Sequence, residues 1–488
     1  MNNSHLIRPT VRWHRLLGWS GGIALIIFGL SGLTHPLMTW FGPQQAAFFP
    51  PQGQFAGEDI AAIPAVLGAN GVAQAQLVKV TPTARGNLLQ ITLDNGINRR
   101  YFSLDNGAEL PEFDRSQAEW LARYYTGLAD TPIRSMALQT TFDNAYPSVN
   151  RLLPVWRVAF ETDDNLTAFV HTELNALASL TNNTKTLQQT VFQALHTWNW
   201  LDSLEPARVL IVLLLVGSLA ILCLTGMVMV LIMPRRKLRG TRRWHRALAW
   251  GIWLPLLAFS ISGLYHLLHN AGDSGPAGLA YGPAINLANQ KNDTAATDWI
   301  DGREAQPLNS ITLLSGPDGQ ILYRLGMPSG KPHQAVDHHA RFNGTPTENP
   351  PRLIDAASGS ISSLSDQELA RFAATRHLGI SAEDISASAI VTGFGPEYDF
   401  RNKRLPVWRV DHAQGTAFID PANGALVDHV SRADGYEGLS FSHLHKWNFM
   451  TPFVGRQIRD GLVTLVIVIA LVFGVLGFVM LVRRRGNA

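Results

Sequence analysis

Arg12-Trp13-His14-Arg15 opens an apolar run that ends in Ser31-Gly32-Leu33-Thr34-His35. Arg243-Trp244-His245-Arg246 opens another that ends in Ser262-Gly263-Leu264-Tyr265-His266. His14 and His245, like His35 and His266, stand 231 positions apart. A helix rises about 1.5 Å per residue, so the 21 residues between the histidines of one run cover roughly 31 Å, the thickness of a bilayer core. At about 100° per residue those steps return the second imidazole to within roughly 60° of the first, on one broad helix face. Each run therefore reads as a spanning helix with an imidazole near each membrane face.

Two further runs have the same length and character. Val209 to Met233 is apolar and uncharged, and Gly461 to Val482 is stopped by Arg483, Arg484 and Arg485. The lead Met1 to Val11 has no small-residue cleavage site behind it, so the first run reads as a retained helix and not as a signal peptide. The net charge is only +3, and its basic residues gather at the ends of apolar runs, a topology signal and not a nucleic-acid surface. The expected division is a helix at 12–40, a soluble block at 41–205, a helix at 206–233, a basic cytoplasmic loop at 234–243, a helix at 244–269, a second soluble block at 270–458 and a helix at 459–482. The arginine clusters put both termini in the cytoplasm and both blocks outside. Each half then reads helix, block, helix, so the two tandem repeats share one orientation.

The blocks carry strand and turn signals. Leu88 to Phe102 alternates about Asn95-Gly96, Asp163-Asp164-Asn165 turns into Thr167 to His171, and Ser116 to Tyr125 reads as a helix. Leu-Pro-Val-Trp-Arg-Val occurs verbatim at 153–158 and 405–410, where Trp156 and Trp408 read as packed strand residues.

Cys223 is the sole cysteine, which excludes an internal disulfide, an all-cysteine iron–sulfur cluster and covalent c-type haem. Metal chemistry here rests on the 16 histidines. A third matched pair, His196 and His445, sits in Leu195-His196-Thr197-Trp198-Asn199 and Leu444-His445-Lys446-Trp447-Asn448, just ahead of the second and fourth helices. His269 and His443 occur in the second half only. Asn199 and Asn448 read as helix lead-in caps, and Asp337-His338-His339 as an exposed loop. A single Trp-His-Arg is an interfacial anchor; its exact repetition favours a shared role. Imidazoles facing each other in a four-helix core are the usual way to hold haem without cysteine. One ligand from each half would place one haem near each membrane face, with Arg12, Arg15, Arg243 and Arg246 available to the propionates.

These motifs resemble the PepSY-associated transmembrane family, also described as iron-regulated membrane proteins. The likeness lies in the Trp-His-Arg openings, the Ser-Gly-Leu-x-His ends, the Leu-His-x-Trp-Asn lead-ins and the Asp-x-x-x-Gly turns at Asp355 to Gly359 and Asp420 to Gly424. It implies a four-helix membrane bundle, two α+β PepSY-like periplasmic blocks, haem b and reduction of ferric siderophores. Carried over by residue, the ligand candidates are His14, His35, His196, His245, His266 and His445, two more than two bis-histidine haems need. His269 and His443 are alternative ligands or substrate-side residues. The expectation is a bacterial inner-membrane haem-b oxidoreductase that carries electrons to a periplasmic ferric siderophore. Nucleotide-binding and hydrolase motifs are absent, so quinol or a separate reductase would donate the electrons. The rival readings are a membrane-anchored, non-redox PepSY module that binds a peptidase or cell-envelope partner, and an iron or siderophore transporter.

Overall fold

The computed structural model describes residues 4–93, 97–233, 238–271, 279–287, 305–334, 336, 340–344 and 351–485. The turn expected at Asn95-Gly96, the basic run from Pro234 to Lys237 and the Asp337-His338-His339 loop lie outside the described residues. The chain divides into two compact units, each assembled from separated stretches: 1–42, 184–275 and 433–488 in one, 43–183 and 276–432 in the other.

The first unit is helical. Its four long helices are Ser4–Phe41, Glu205–Ile232, Thr241–His269 and Thr451–Arg485. All four are long and apolar enough to cross a membrane. The first and third each pack against the second and fourth, so the first and third stand diagonally across the bundle. Their centre is apolar: Ala24, Leu25, Leu219, Cys223, Ile252, Leu256 and Ala470 form its buried core. Small residues allow this closeness, since a Cβ added at Gly21 would lie 3.1 Å from the Leu219 backbone. The fourth helix is broken at Gly455, whose φ of +75° is one that L side chains rarely adopt.

Among the described residues the second unit holds five antiparallel sheets, two of them two-stranded ribbons. A six-stranded sheet runs in the order Arg352–Asp355, Ile321–Gly326, Ser310–Ser315, Leu77–Thr83, Gly86–Thr92 and Arg99–Ser103. Its middle joint pairs Ile311 with Val80 and Thr312 with Lys79, so the two soluble blocks share one sheet. Helix Gly57–Ala69 covers it with Ile60, Ile63, Val66 and Leu67. The strands on either side of Asn95-Gly96 pair as the expected hairpin.

Each block also supplies a four-stranded sheet and one helix. The first has Ile133–Gln139, Val155–Phe160, Thr167–His171 and Ala176–Thr181 under helix Phe113–Thr126. The second has Ile385–Val391, Val407–His412, Gly415–Ile419 and Leu426–Ser431 under helix Asp366–Leu378. Three strands, a helix and four strands therefore follow in the same order in both blocks. The Asp-x-x-x-Gly turns form as expected. Asp420 accepts from the Ala422 amide at 2.8 Å through its side chain and from the Gly424 amide at 2.8 Å through its carbonyl, with Gly424 at φ +70°.

Candidate functional site

Three imidazoles in the helical unit, His14, His196 and His445, sit in the same kind of seat, and a fourth, His245, shares part of it. His196 lies in an irregular helical turn ahead of the second long helix, and His445 in the matching turn ahead of the fourth. His196 Nδ1 is 3.1 Å from Ser31 Oγ, and His445 Nδ1 is 3.2 Å from Ser262 Oγ. Each ring stacks on the phenylalanine one turn before it, His196 on Phe192 and His445 on Phe441, both at 4.7 Å between centres. Each meets a second phenylalanine edge-on, Phe28 or Phe259, at 5.6 Å. The next residue after each serine is glycine, and a Cβ at Gly32 or Gly263 would lie 3.6 or 3.8 Å from the imidazole Cε1.

The other two seats are at the arginine-rich end. His14 Nδ1 is 3.1 Å from Thr225 Oγ1, and Gly226 follows that threonine. His245 stacks flat on Phe473 at 4.2 Å and faces Gly477, but Leu476 stands where the other seats have a hydroxyl, so among the described residues His245 Nδ1 meets no side-chain hydroxyl. The two seats on the first long helix's flank, at His14 and Ser31, are 17 residues apart, about 25 Å along the helix.

The hydroxyls fix the tautomers. Ser31 Oγ donates its proton to Ile27 O at 2.7 Å, Ser262 Oγ to Ala258 O at 2.7 Å, and Thr225 Oγ1 to Ile221 O at 2.9 Å. Each oxygen can then only accept from the imidazole, so the ring proton sits on Nδ1. Nε2 is left with its lone pair, and it makes no hydrogen bond among the described residues. This is the form in which an imidazole binds a metal.

His196 and His445 face each other. Their ring centres are 6.4 Å apart and their planes cross at 77°. A metal–imidazole nitrogen bond is about 2 Å, so two rings on opposite sides of one ion put their centres about 6 Å apart. Turning one ring against the other about the line joining them leaves that separation unchanged, so the crossing angle is no obstacle. His14 and His245 stand on the diagonal helices, each against the helix that follows in its half. Among the described residues no group of three or more His, Cys, Asp or Glu side chains is arranged around a metal position; a haem iron needs only two.

The remaining candidates fall elsewhere. His266 Nδ1 is 2.6 Å from Glu437 Oε1, and His269 Nε2 is 2.8 Å from Asp434 Oδ1. His443 Nδ1 is 3.0 Å from Leu439 O. His35 is exposed, 6.1 Å from the Phe192 ring, and faces no second imidazole at coordinating distance among the described residues. Arg12, Arg15 and Arg243 are exposed at the arginine-rich end, and Arg246 Nη2 donates to Met233 O at 2.8 Å. Asn448 does not cap its helix: it bonds Ser442 Oγ at 2.9 Å and accepts from Arg459.

Sequence reasoning missed the serine, threonine and glycine seats. The signal was present, since Ser-Gly recurs at 31–32 and 262–263 and Thr-Gly stands at 225–226. It was obscured because a hydroxyl in a membrane helix ordinarily bonds back to its own carbonyls, as these also do. The carboxylates opposite His266 and His269 also went unnoticed. No family model matches the chain, and no curated protein matches it.

Proposed function

We propose that the helical unit is a two-haem electron carrier of the bacterial inner membrane, built from two tandem repeats, and that it reduces a ferric siderophore on the periplasmic side. The observation that carries this reading is the pair His196 and His445, ring centres 6.4 Å apart, each with its Nδ1 proton committed to a serine. These two imidazoles would hold one haem b, and His14 with His245 the other. When bound, such a group exchanges single electrons reversibly.

The chain's own part is to bind and orient. The serine and threonine hydroxyls hold the His14, His196 and His445 rings in the coordinating tautomer and keep them from turning. Phe28, Phe192, Phe259 and Phe441 exclude water from the His196 and His445 rings. Gly32, Gly226, Gly263 and Gly477 leave the space that each ring occupies. Arg12, Arg15, Arg243 and Arg246 supply positive charge at the other end for propionate oxygens. Iron enters the reaction as cargo: the chelator's hard oxygens match the ferric ion, and reduction weakens that hold. The donor would be quinol or a separate reductase.

The apolar cluster of Ala24, Cys223, Ile252 and Ala470, in which the neighbouring Ser218 and Ser260 hydroxyls bond back to their own helix carbonyls, favours electron transfer over transport. The test is the absorption spectrum of protein purified in detergent from cells grown with ample haem. A Soret band that shifts on dithionite, with two haems per chain by pyridine haemochrome, is expected. A colourless protein would overturn this reading in favour of a membrane-anchored PepSY module that binds a peptidase or cell-envelope partner.

A further inference from the structure

Two tryptophans follow the facing histidines at the same step. Trp198 stands two residues after His196, and Trp447 two residues after His445. Both have left-handed backbones, with φ of +58° and +54°. Among the described residues of the helical unit no other non-glycine residue has a positive φ. A bulky side chain in that region is strained, and the strain persists only where surrounding contacts hold it. The backbone there has a clear use. It ends the irregular turn that carries each histidine and opens the next turn, Asn199–Leu204 or Asn448–Met450. Glycine would serve that purpose without strain, so the turn does not explain the indole.

The rings do. Trp198 stacks on Phe28 with centres 6.4 Å apart and planes at 12°, and Trp447 stacks on Phe259 at 5.7 Å and 9°. Phe28 and Phe259 are the phenylalanines that meet His196 and His445 edge-on. Each imidazole therefore lies between the phenylalanine one turn before it and a phenylalanine backed by an indole. In the first half the indole N–H groups also point at the histidine's own turn. Trp198 Nε1 donates to Leu195 O at 2.9 Å and Trp200 Nε1 to Ala194 O at 3.0 Å, the two carbonyls just ahead of His196. Trp200 stacks in turn on Trp198 at 5.7 Å. A tryptophan that only anchors a helix at the membrane surface keeps its N–H for water and headgroups. In the second half Phe449 stands at the place of Trp200, and Asn448 ties the turn through Ser442 Oγ at 2.9 Å.

We infer that Trp198 and Trp447 are positioning residues. Each indole backs the phenylalanine that sets the rotation of one facing imidazole, and together they hold the 77° crossing of the His196 and His445 rings. What those imidazoles hold rests on the haem reading above; the packing does not. The EPR signal and the potential of a haem with two imidazole ligands depend on the ligands' orientation, so a ring released from its wedge is visible in both.

The test uses the full-length chain in detergent, with Phe, Gly and Ala in turn at Trp198 and at Trp447, and Trp250→Ala as a control at an exposed indole of the third long helix. EPR of the oxidised protein and redox titration are read for each. The Gly and Ala variants change the EPR signal and the potential of one haem and leave the other as it was. The Phe variants, which keep a stacking ring, stay close to the wild type, as does the control. Gly variants indistinguishable from the wild type would show that the turn alone matters and overturn the inference. So would Phe variants as altered as the Gly ones. A double-mutant cycle of Trp198→Ala with His196→Ala, read by melting, needs no haem. A combined loss smaller than the two single losses together is expected, and additive losses would also overturn the inference. A wild type without haem sinks the haem reading alone, and the cycle then decides the positioning role.

Discussion

The two units treat buried polar groups in opposite ways. In the sheet unit, buried charges answer each other. Glu173 bonds Arg404 at 2.9 Å, Tyr281 at 3.1 Å and Asn423 at 3.1 Å, and its carbonyl accepts from Lys79. Arg404 reaches on to Asp420 at 2.5 Å. His171 meets Arg99 at 3.1 Å, Arg99 donates to Thr172 at 2.8 Å, and Thr172 donates to Asp114 at 2.5 Å. In the helical unit, half-buried imidazoles use one nitrogen on a hydroxyl and keep the other open. A network that closes on itself holds a fold together. One that stops at a lone pair is prepared for something the chain does not contain.

The largest effect that bears on this contrast is loss of ligand. His196→Ala or His445→Ala removes about half of the bound haem, while His35→Ala and His266→Ala keep all of it, as read by pyridine haemochrome. Equal losses in all four variants would erase the distinction between facing and non-facing histidines.

Next is the closed network. Glu173→Gln takes from Arg404 one of its two carboxylates and from Lys79 the nearest negative charge, and costs about 3–5 kcal/mol, seen as a lower melting temperature or faster proteolysis of the sheet unit. The same network sets a pH dependence. Burial, with Arg99 beside it, holds His171 well below its ordinary 6.5, so it stays neutral when folded. Burial alone would push the Glu173 carboxyl up, but Arg404 overrides it and holds it far below its ordinary 4.5. Burial lowers Lys79 from 10.5 to about 8. In all three the unfolded chain binds protons more tightly, so stability rises with pH. Acid therefore destabilises the unit in two steps, below about 6.5 through His171 and below about 4.5 through Glu173, and stability rises again between about 8 and 10.5 through Lys79. A melting temperature that falls between pH 5 and 7 as pH rises would contradict this assignment.

Smaller effects test the seats. A Cβ at position 226 would stand 3.2 Å from His14 Cε1, whereas one at position 32 would stand 3.6 Å from His196 Cε1. Gly226→Ala therefore shifts the His14 ring and perturbs the Soret band, and Gly32→Ala leaves it nearly unchanged. Smallest is Ser31→Ala, which removes one hydrogen bond to a ring that stays packed, about 1 kcal/mol, and moves the potential of one haem without loss of occupancy.

Much of the scaffold was legible in the sequence. The span expected at 206–233 is the helix Glu205–Ile232, and that at 244–269 lies within Thr241–His269. The strand expected from Leu-Pro-Val-Trp-Arg-Val appears twice, as Val155–Phe160 and Val407–His412. Two sequence blocks did not announce that they would share a six-stranded sheet, because the pairing of Val80 with Ile311 is a matter of edge meeting edge. Nor did the histidine pattern rank its members: His35 and His266 match in sequence as well as His196 and His445 do, yet only the latter pair face each other.

By itself the sequence determined where the four apolar spans lie and the repetition of their histidines, though not the ends of the first and fourth helices, because hydropathy and spacing act along a continuous segment. Only the tertiary structure decided which rings oppose, which hydroxyl takes each Nδ1 proton and which charges close on each other. Those outcomes depend on the rotation and depth of helices whose contacting residues, such as Ser31 and His196, are 165 positions apart, and no local period encodes them.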